Sequence, residues 1–130
     1  MKVTAIIERA DDGNYCIYTL QDTGKCGMFG YGDTIKEAKE DYFEAYREYK
    51  EMFPDDMPDL QVTFQYDISS FLHSFSKSLG LAGLQRVTGV SRERLGKYLT
   101  AQSKPNRATR LKLGAGLRSL GADFQDVSFV

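Results

Sequence analysis

The stretch Leu84–Lys104, LQRVTGVSRERLGKYLTAQSK, decides how the chain is read. Gly89 stands where a helix should stop and the backbone should pass through a left-handed conformation. That costs glycine little and most other residues about 1–2 kcal/mol. Val90 is expected to plug the resulting corner. Ser91 is expected to cap a new helix starting at Arg92, because its hydroxyl can accept from an amide in the first turn. Leu84 and Val87 before the corner, and Leu95, Tyr98 and Leu99 after it, keep the three-and-four rhythm of a buried helix face. The spacing predicts two helices that meet at a sharp, capped turn.

This arrangement leaves Arg92, Glu93, Gly96, Lys97 and Thr100 pointing outward. Long cationic and small polar groups on one face of a short helix suit the major groove of DNA, where Arg and Lys reach guanine edges and Gly or Thr allow close approach. The plainer alternative is a helical hairpin with a solvated face. Between Gly80 and Leu120 the chain carries nine cations, at Arg86, Arg92, Arg94, Lys97, Lys104, Arg107, Arg110, Lys112 and Arg118, against the single acid Glu93. Arg92, Glu93 and Lys97 are assigned to base edges, with Glu93 accepting from a cytosine amino group. Arg86, Lys104, Asn106 and Arg107 suit the phosphate backbone, the last two at a helix N-terminus where amides attract anions. Ser91 and Thr100 complete the candidate DNA-contacting set. Arg94, Arg110 and Arg118 are read as solvated. One such unit covers half an operator, so a homodimer or higher homo-oligomer on an inverted repeat is expected.

The run VTGVSRERLGKYLTAQSKPNRATRLKL resembles the lambda-repressor-like class of helix-turn-helix, which has a leucine, an alanine, a glycine-valine-serine corner, a short recognition helix, a lysine-proline pair and another helix. The matching positions are Leu84, Gly89, Val90, Ser91, Leu95, Lys104 and Pro105. The chain departs at Gln85, where that class usually has Ala so that the helices touch, and at Leu81, where a phosphate-binding Gln is common.

The net charge of −1 over 130 residues hides a division. Residues 1–66 hold seven Lys plus Arg against fourteen Asp plus Glu, a net −7, and residues 67–130 hold ten against four, a net +6. An acidic half joined to a basic half points to a nucleic-acid module plus something else, divided here as 1–66 and 67–130 with a short hinge around Tyr66 and Asp67. No apolar run approaches a membrane-spanning length and no signal peptide is visible, so a cytoplasmic protein without a membrane partner is expected. Cys16, Cys26 and His73 are too few for a zinc site. The two cysteines are read as small buried thiols rather than a disulfide. No metal or cofactor is expected.

In the first half, Val3–Glu8 and Tyr15–Leu20 are β-rich and flank the turn signal Asp11-Asp12-Gly13-Asn14. A third strand is expected over Cys26–Tyr31, where Gly27, Gly30 and the following Gly32 are read as bulges or close backbone contacts rather than a phosphate loop. Thr34 and Glu37 form a capping box that starts a helix running to about Phe53. Its broad apolar face holds Ile35, Ala38, Tyr42, Ala45, Tyr46, Tyr49, Met52 and Phe53. The acids on its other face, Glu40, Glu44, Glu48 and Glu51, are read as solvated first and as a surface for a basic partner second. Leu60–Tyr66 alternates as a fourth strand.

The resulting β-β-β-α-β order, with GKCGMFGYGDTIKEAKEDYFEAY, resembles the HicB antitoxin family, whose small N-terminal domain is a truncated ribonuclease H-like fold. Gly32, Asp33, Thr34, Glu37 and Ala38 fit its pattern, while Cys26-Gly27 inverts the usual order of that pair. The fold expected for the whole chain is α+β, with this small domain followed by an all-α helix-turn-helix domain. The resemblance implies an antitoxin that binds a small basic HicA-like toxin, an mRNA-cleaving ribonuclease with a double-stranded-RNA-binding fold, and represses their shared operon. A stand-alone regulator whose first domain senses a ligand or dimerises is the alternative. An enzyme is not expected: a working ribonuclease H needs several carboxylates converging on two metal ions. The strands offer Glu8 and little else, since Asp11, Asp12 and Asp22 lie in turns.

Asp67 is expected to cap a helix carrying Ile68, Phe71, Leu72, Phe75 and Leu79 on one face, with His73 and Lys77 off it. A last helix, capped by Asn106, should bury Leu111, Leu113, Leu117 and Leu120 and end at Gly121, with Gly114 and Gly116 explained by close packing. Phe124, Val127 and Phe129 are read as an apolar patch that closes the domain or pairs with a second copy.

Overall fold

A computed structural model describes residues 1–24 and 27–130. The chain is α+β, with a four-stranded mixed sheet and four helices: β1 (Lys2–Arg9), β2 (Tyr15–Thr19), β3 (Phe29–Gly32), α1 (Ile35–Met52), β4 (Gln61–Tyr66), α2 (Ile68–Thr88), α3 (Arg92–Leu99) and α4 (Arg107–Gln125). It divides into two compact units, Met1–Ser70 and Phe71–Val130.

In the first unit the strands run in the order β3-β2-β1-β4. The β1–β2 and β2–β3 pairs are antiparallel, and β4 joins the far side of β1 in parallel. The β1–β2 turn forms as its residues require: Gly13 takes a φ of 88° and the Asn14 amide donates to Asp12 Oδ1 at 2.9 Å. Alternation puts Val3, Ala5, Ile7 and Ile17 on a face that is fully or almost fully buried. α1 covers it, chiefly over β3 and β2. Gly30 and Gly32 make that approach possible. A Cβ on Gly30 would lie 2.3 Å from the Ala38 carbonyl oxygen, and one on Gly32 2.7 Å from the Ala38 amide. Tyr42 sinks completely into the core, its hydroxyl paired with Thr19. Its ring meets Phe43 and Phe64 edge-on at centroid distances of 5.6 and 6.0 Å.

Several expectations for this unit are corrected. The third strand starts at Phe29, later than expected, and the Lys25–Cys26 part of the reading lies outside the described residues. Thr34 does cap α1, accepting from the Glu37 amide at 3.1 Å, but Glu37 reaches back to the amide of Asp33 rather than that of Thr34. Met52, expected on the buried face of α1, is exposed. Cys16 is a free thiol and only half-buried, since it points to the face of the sheet opposite α1. The compact unit runs to Ser70, and hydrogen bonding ties residues 67–70 to the sheet. The Asp67 amide donates to the Ile7 carbonyl at 3.1 Å, and Asp67 accepts from the amide and hydroxyl of Ser70. Ser70 Oγ in turn accepts from the Arg9 amide at 2.8 Å, so the first turn of α2 is bonded to the end of β1.

In the second unit Leu72, Leu84, Val90, Leu95, Tyr98 and Leu113 form the core. α2 is broken at Gly80, whose φ of 73° and ψ of 152° are not helical, so residues 81–88 make a separate short helix ahead of the corner. α4 runs on to Gln125, and Gly121 lies inside it. Leu111 is 56% exposed rather than buried. Every residue from Gly121 to Val130 is exposed, so the terminal apolar patch does not close the domain. Gly116 is the close-packing glycine: a Cβ there would lie 2.5 Å from the Val87 carbonyl oxygen, whereas one on Gly114 would meet only the end of the Arg118 side chain.

The two glycines of α4 therefore separate in a denaturation experiment. Gly116→Ala is expected to lower the stability of the second unit by about 3 kcal/mol through overpacking against backbone. Gly121→Ala, helical with nothing within 4 Å of the added methyl, should raise it by about 0.5–1 kcal/mol. Urea melts followed by circular dichroism read both.

Candidate nucleic-acid interface

The corner forms as the residues dictate. Gly89 has a φ of 75°, and its amide closes the preceding helix on the Gln85 carbonyl at 2.8 Å. Thr88 holds both sides together, its hydroxyl donating to the Leu84 carbonyl at 2.6 Å and accepting from the Val90 amide at 3.2 Å. Val90 is completely buried, and Ser91 caps α3 by accepting from the Arg94 amide at 3.2 Å.

Leu95 and Tyr98 are buried behind α3, and Arg92, Glu93, Lys97 and Thr100 are exposed along its outer side, where Gly96 leaves open space. At eight residues α3 is about 12 Å long, close to the width of a B-DNA major groove. Arg86, Lys104, Asn106 and Arg107 are also exposed. Arg86 and Arg92 border a surface hollow of about 400 Å³ with Ala82 and Gln85.

The candidate residues do not all stand equally free. Ser91 is occupied as the cap of α3, and Asn106 as the cap of α4, where its Oδ1 accepts from the Thr109 amide at 2.9 Å. Thr100 donates to the Gly96 carbonyl at 3.1 Å. Glu93 and Lys97 lie one turn apart and form an exposed ion pair at 3.7 Å, which holds them only weakly. Arg86, Arg92, Lys104 and Arg107 have no hydrogen bond or ion pair through their side chains among the described residues.

Other cations serve the scaffold. Arg94, expected to be solvated, ties α3 to α4: its guanidinium donates to Tyr98 Oη at 3.0 Å and Thr109 Oγ1 at 3.1 Å. Arg110 donates to the Pro105 carbonyl at 2.9 Å. Lys112 donates to the Gly89 carbonyl at 3.2 Å and so braces the corner from α4. The Gln85 side chain, in a position where a small residue would let the helices touch, has a use of its own. Its Oε1 accepts from the Arg92 amide at 2.9 Å, satisfying an otherwise orphan donor at the start of α3. None of these contacts is written in periodicity, although a Gln seven residues before a predicted helix start is within reach of it.

α3 ends on an unusual residue. The Ala101 amide donates to the Tyr98 carbonyl at 3.2 Å and the Gln102 amide to the Lys97 carbonyl at 2.9 Å, the paired bonds of a Schellman motif. The left-handed position of that motif is normally glycine, yet Ala101 occupies it with a φ of 60°.

No group of three or more His, Cys, Asp or Glu residues is placed to hold a metal ion among the described residues, and no described helix is long and apolar enough to cross a membrane. Comparison of the chain with protein-family models, curated proteins and solved structures gives no match.

Ala101→Gly is expected to raise the stability of the second unit by about 0.5–1 kcal/mol, the strain relieved less the entropy added to the unfolded chain. Gln85→Ala should lower it by about 1 kcal/mol through loss of the cap at the Arg92 amide. Equilibrium unfolding in urea with unchanged m-values would show both.

Proposed function

We propose that the chain is a two-part transcriptional regulator of the antitoxin kind. In this reading the second unit is a helix-turn-helix that binds operator DNA through α3, and the first unit binds and neutralises a small basic toxin. The observation that carries the DNA-binding half is the division of α3 itself. Leu95 and Tyr98 anchor it from behind, while Arg92, Glu93 and Lys97 stand outside on a short helix whose start is fixed by Gly89, Val90 and Ser91. Arg92 and Lys97 then read base edges, and Arg86, Lys104 and Arg107 neutralise phosphates. Arg94, Arg110 and Lys112, engaged inside the unit, contribute to the field but not to direct contacts.

The toxin-binding half is supported by charge and by resemblance. A unit of net −8, seven Lys plus Arg against fifteen Asp plus Glu over residues 1–70, attracts a cationic ribonuclease, competes with RNA for its positive surface and steers the encounter. A stand-alone regulator shares the DNA-binding half and differs only in lacking a toxin.

The paired substitution Arg92→Ala and Lys97→Ala is expected to abolish binding to the chain's own promoter in gel-shift assays while leaving neutralisation of a co-expressed toxin intact. Loss of both activities in a folded variant would contradict the division of labour. Three phosphate contacts per unit correspond to a slope of about −2.7 in log K against log salt for each bound unit, and a slope near zero would rule out the backbone assignment.

A further inference from the structure

α1 covers one face of the sheet, and the other face is built of a different material. Strand register brings Ile6, Tyr18 and Phe29 into one row, and Glu8, Cys16 and Tyr31 into the next. Directly opposed side chains in such rows stand about 5 Å apart. Phe29 is 66% exposed and Tyr31 49% exposed, although both sit in a strand. The two exposed rings stand two residues apart on β3, and with the half-buried Tyr18 of β2 beside Phe29 they make a patch rather than scattered apolar residues.

Each tyrosine of the patch is tied to a carboxylate. Tyr18 donates to Glu8 Oε1 at 2.8 Å, and Tyr31 donates to Asp12 while accepting from Asn14 Nδ2 at 3.0 Å. The hydrogen bond to Glu8 raises the Tyr18 pKa, and the bond to Asp12 does the same for Tyr31. The Tyr31 hydroxyl in turn holds the Asp12 carboxyl below its ordinary value. At neutral pH the face therefore presents neutral, electron-rich rings with ionised Asp12 at one end. Arg9, beside the turn, offsets part of that charge.

We propose that this open sheet face is the docking surface for a cationic protein segment, with arginine or lysine side chains laid over the Tyr18, Phe29 and Tyr31 rings and their charges met by Glu8 and Asp12. Rings supply cation–π attraction and the carboxylates supply charge-assisted hydrogen bonds, the pairing that recognises guanidinium and ammonium groups. A single nucleic-acid strand would stack on the same rings, but sheets that bind nucleic acid surround their aromatics with cations, and here the phosphates would meet Glu8, Asp12 and a unit of net −8. A second copy of the chain would bring two like-charged faces together. The inference rests on reading the first unit as the partner-binding half and locates that partner on the sheet rather than on the acidic outer side of α1.

The chain has no tryptophan, so Phe29→Trp places a single reporter in the patch. The full-length reporter is titrated with an arginine-glycine repeat peptide and, separately, with an oligouridine strand. The peptide is expected to shift the tryptophan emission to saturation. Adding Glu8→Gln with Asp12→Asn should weaken that binding about tenfold, whereas Glu40→Gln with Glu48→Gln on α1 should change it less than about twofold. Equal weakening by both pairs, a larger response to oligouridine than to peptide, emission that depends on protein concentration alone, or no response would each overturn the assignment. Co-expression with a basic toxin separates the two levels. Growth rescued equally by the native chain and by a folded Phe29→Ser, Tyr31→Ser variant sinks the docking face but not the antitoxin reading. Growth that the native chain does not rescue sinks the antitoxin reading, while the peptide titration still judges the face.

Discussion

Everything in the second unit is organised by the left-handed backbone at Gly89. A side chain there would be strained by the φ of 75°, and its Cβ would press on Lys112, which donates to the Gly89 carbonyl. The corner is thus built from both directions. Thr88 and Val90 hold it along the chain, and α4 holds it from across the unit through Lys112 and through the bare backbone of Gly116 against Val87. The exposed side of α3 inherits its orientation from these contacts. A surface of cations becomes a directed surface only because its helix has nowhere else to point.

Charge counting alone would have overstated that surface. Nine cations lie between Gly80 and Leu120. Arg94, Arg110 and Lys112 are committed to Thr109, Pro105 and Gly89, Arg118 lies against Gly114, and Lys97 stays on the outer side with only a weak pair to Glu93. The remaining four, Arg86, Arg92, Lys104 and Arg107, stand where the second helix ends and where α3 and α4 begin or are approached. In the first unit the charge is likewise unevenly useful. The acids of α1 are spread along a solvated helix side, whereas Glu8 and Asp12 are held against aromatic rings.

What the sequence made legible was the local chemistry. The caps at Thr34, Ser91 and Asn106 and the turns at Gly13 and Gly89 each depend on residues within a few positions, and each is found as read. What it hid was set by tertiary contact or by conformational choice. Gly121 permits a left-handed helix end without requiring one, and the backbone there stays helical. Leu111 and Leu113 lie about 200° apart around a helix, so they cannot both face the core, and Leu113 does. The roles of Arg94 and Gln85 required knowing which long side chain reaches which neighbour. The left-handed Ala101 carries no signal of its own, because alanine ordinarily favours the helix interior. The open face of the sheet was hidden for another reason: alternation tells which residues share a side, but not which side a single helix will leave bare.

The order of strands carries a consequence for how the chain is made. β1 is synthesised first, yet its parallel neighbour β4 arrives only with residues 61–66, after α1 has crossed between them. Until then one side of β1 has no ladder, and the emerging polypeptide exposes a strand edge of the sort that invites illicit pairing. The β1–β4 pairing, Lys2 with Gln61 through Ile7 with Tyr66, joins residues 59 apart, whereas the contacts that brace the second unit, Lys112 to Gly89 and Gly116 to Val87, span 23 and 29. The half of the molecule read as a partner-binding unit thus depends on the longer loop closure, and its exposed point on the way to the native state is a strand border that the finished sheet no longer shows.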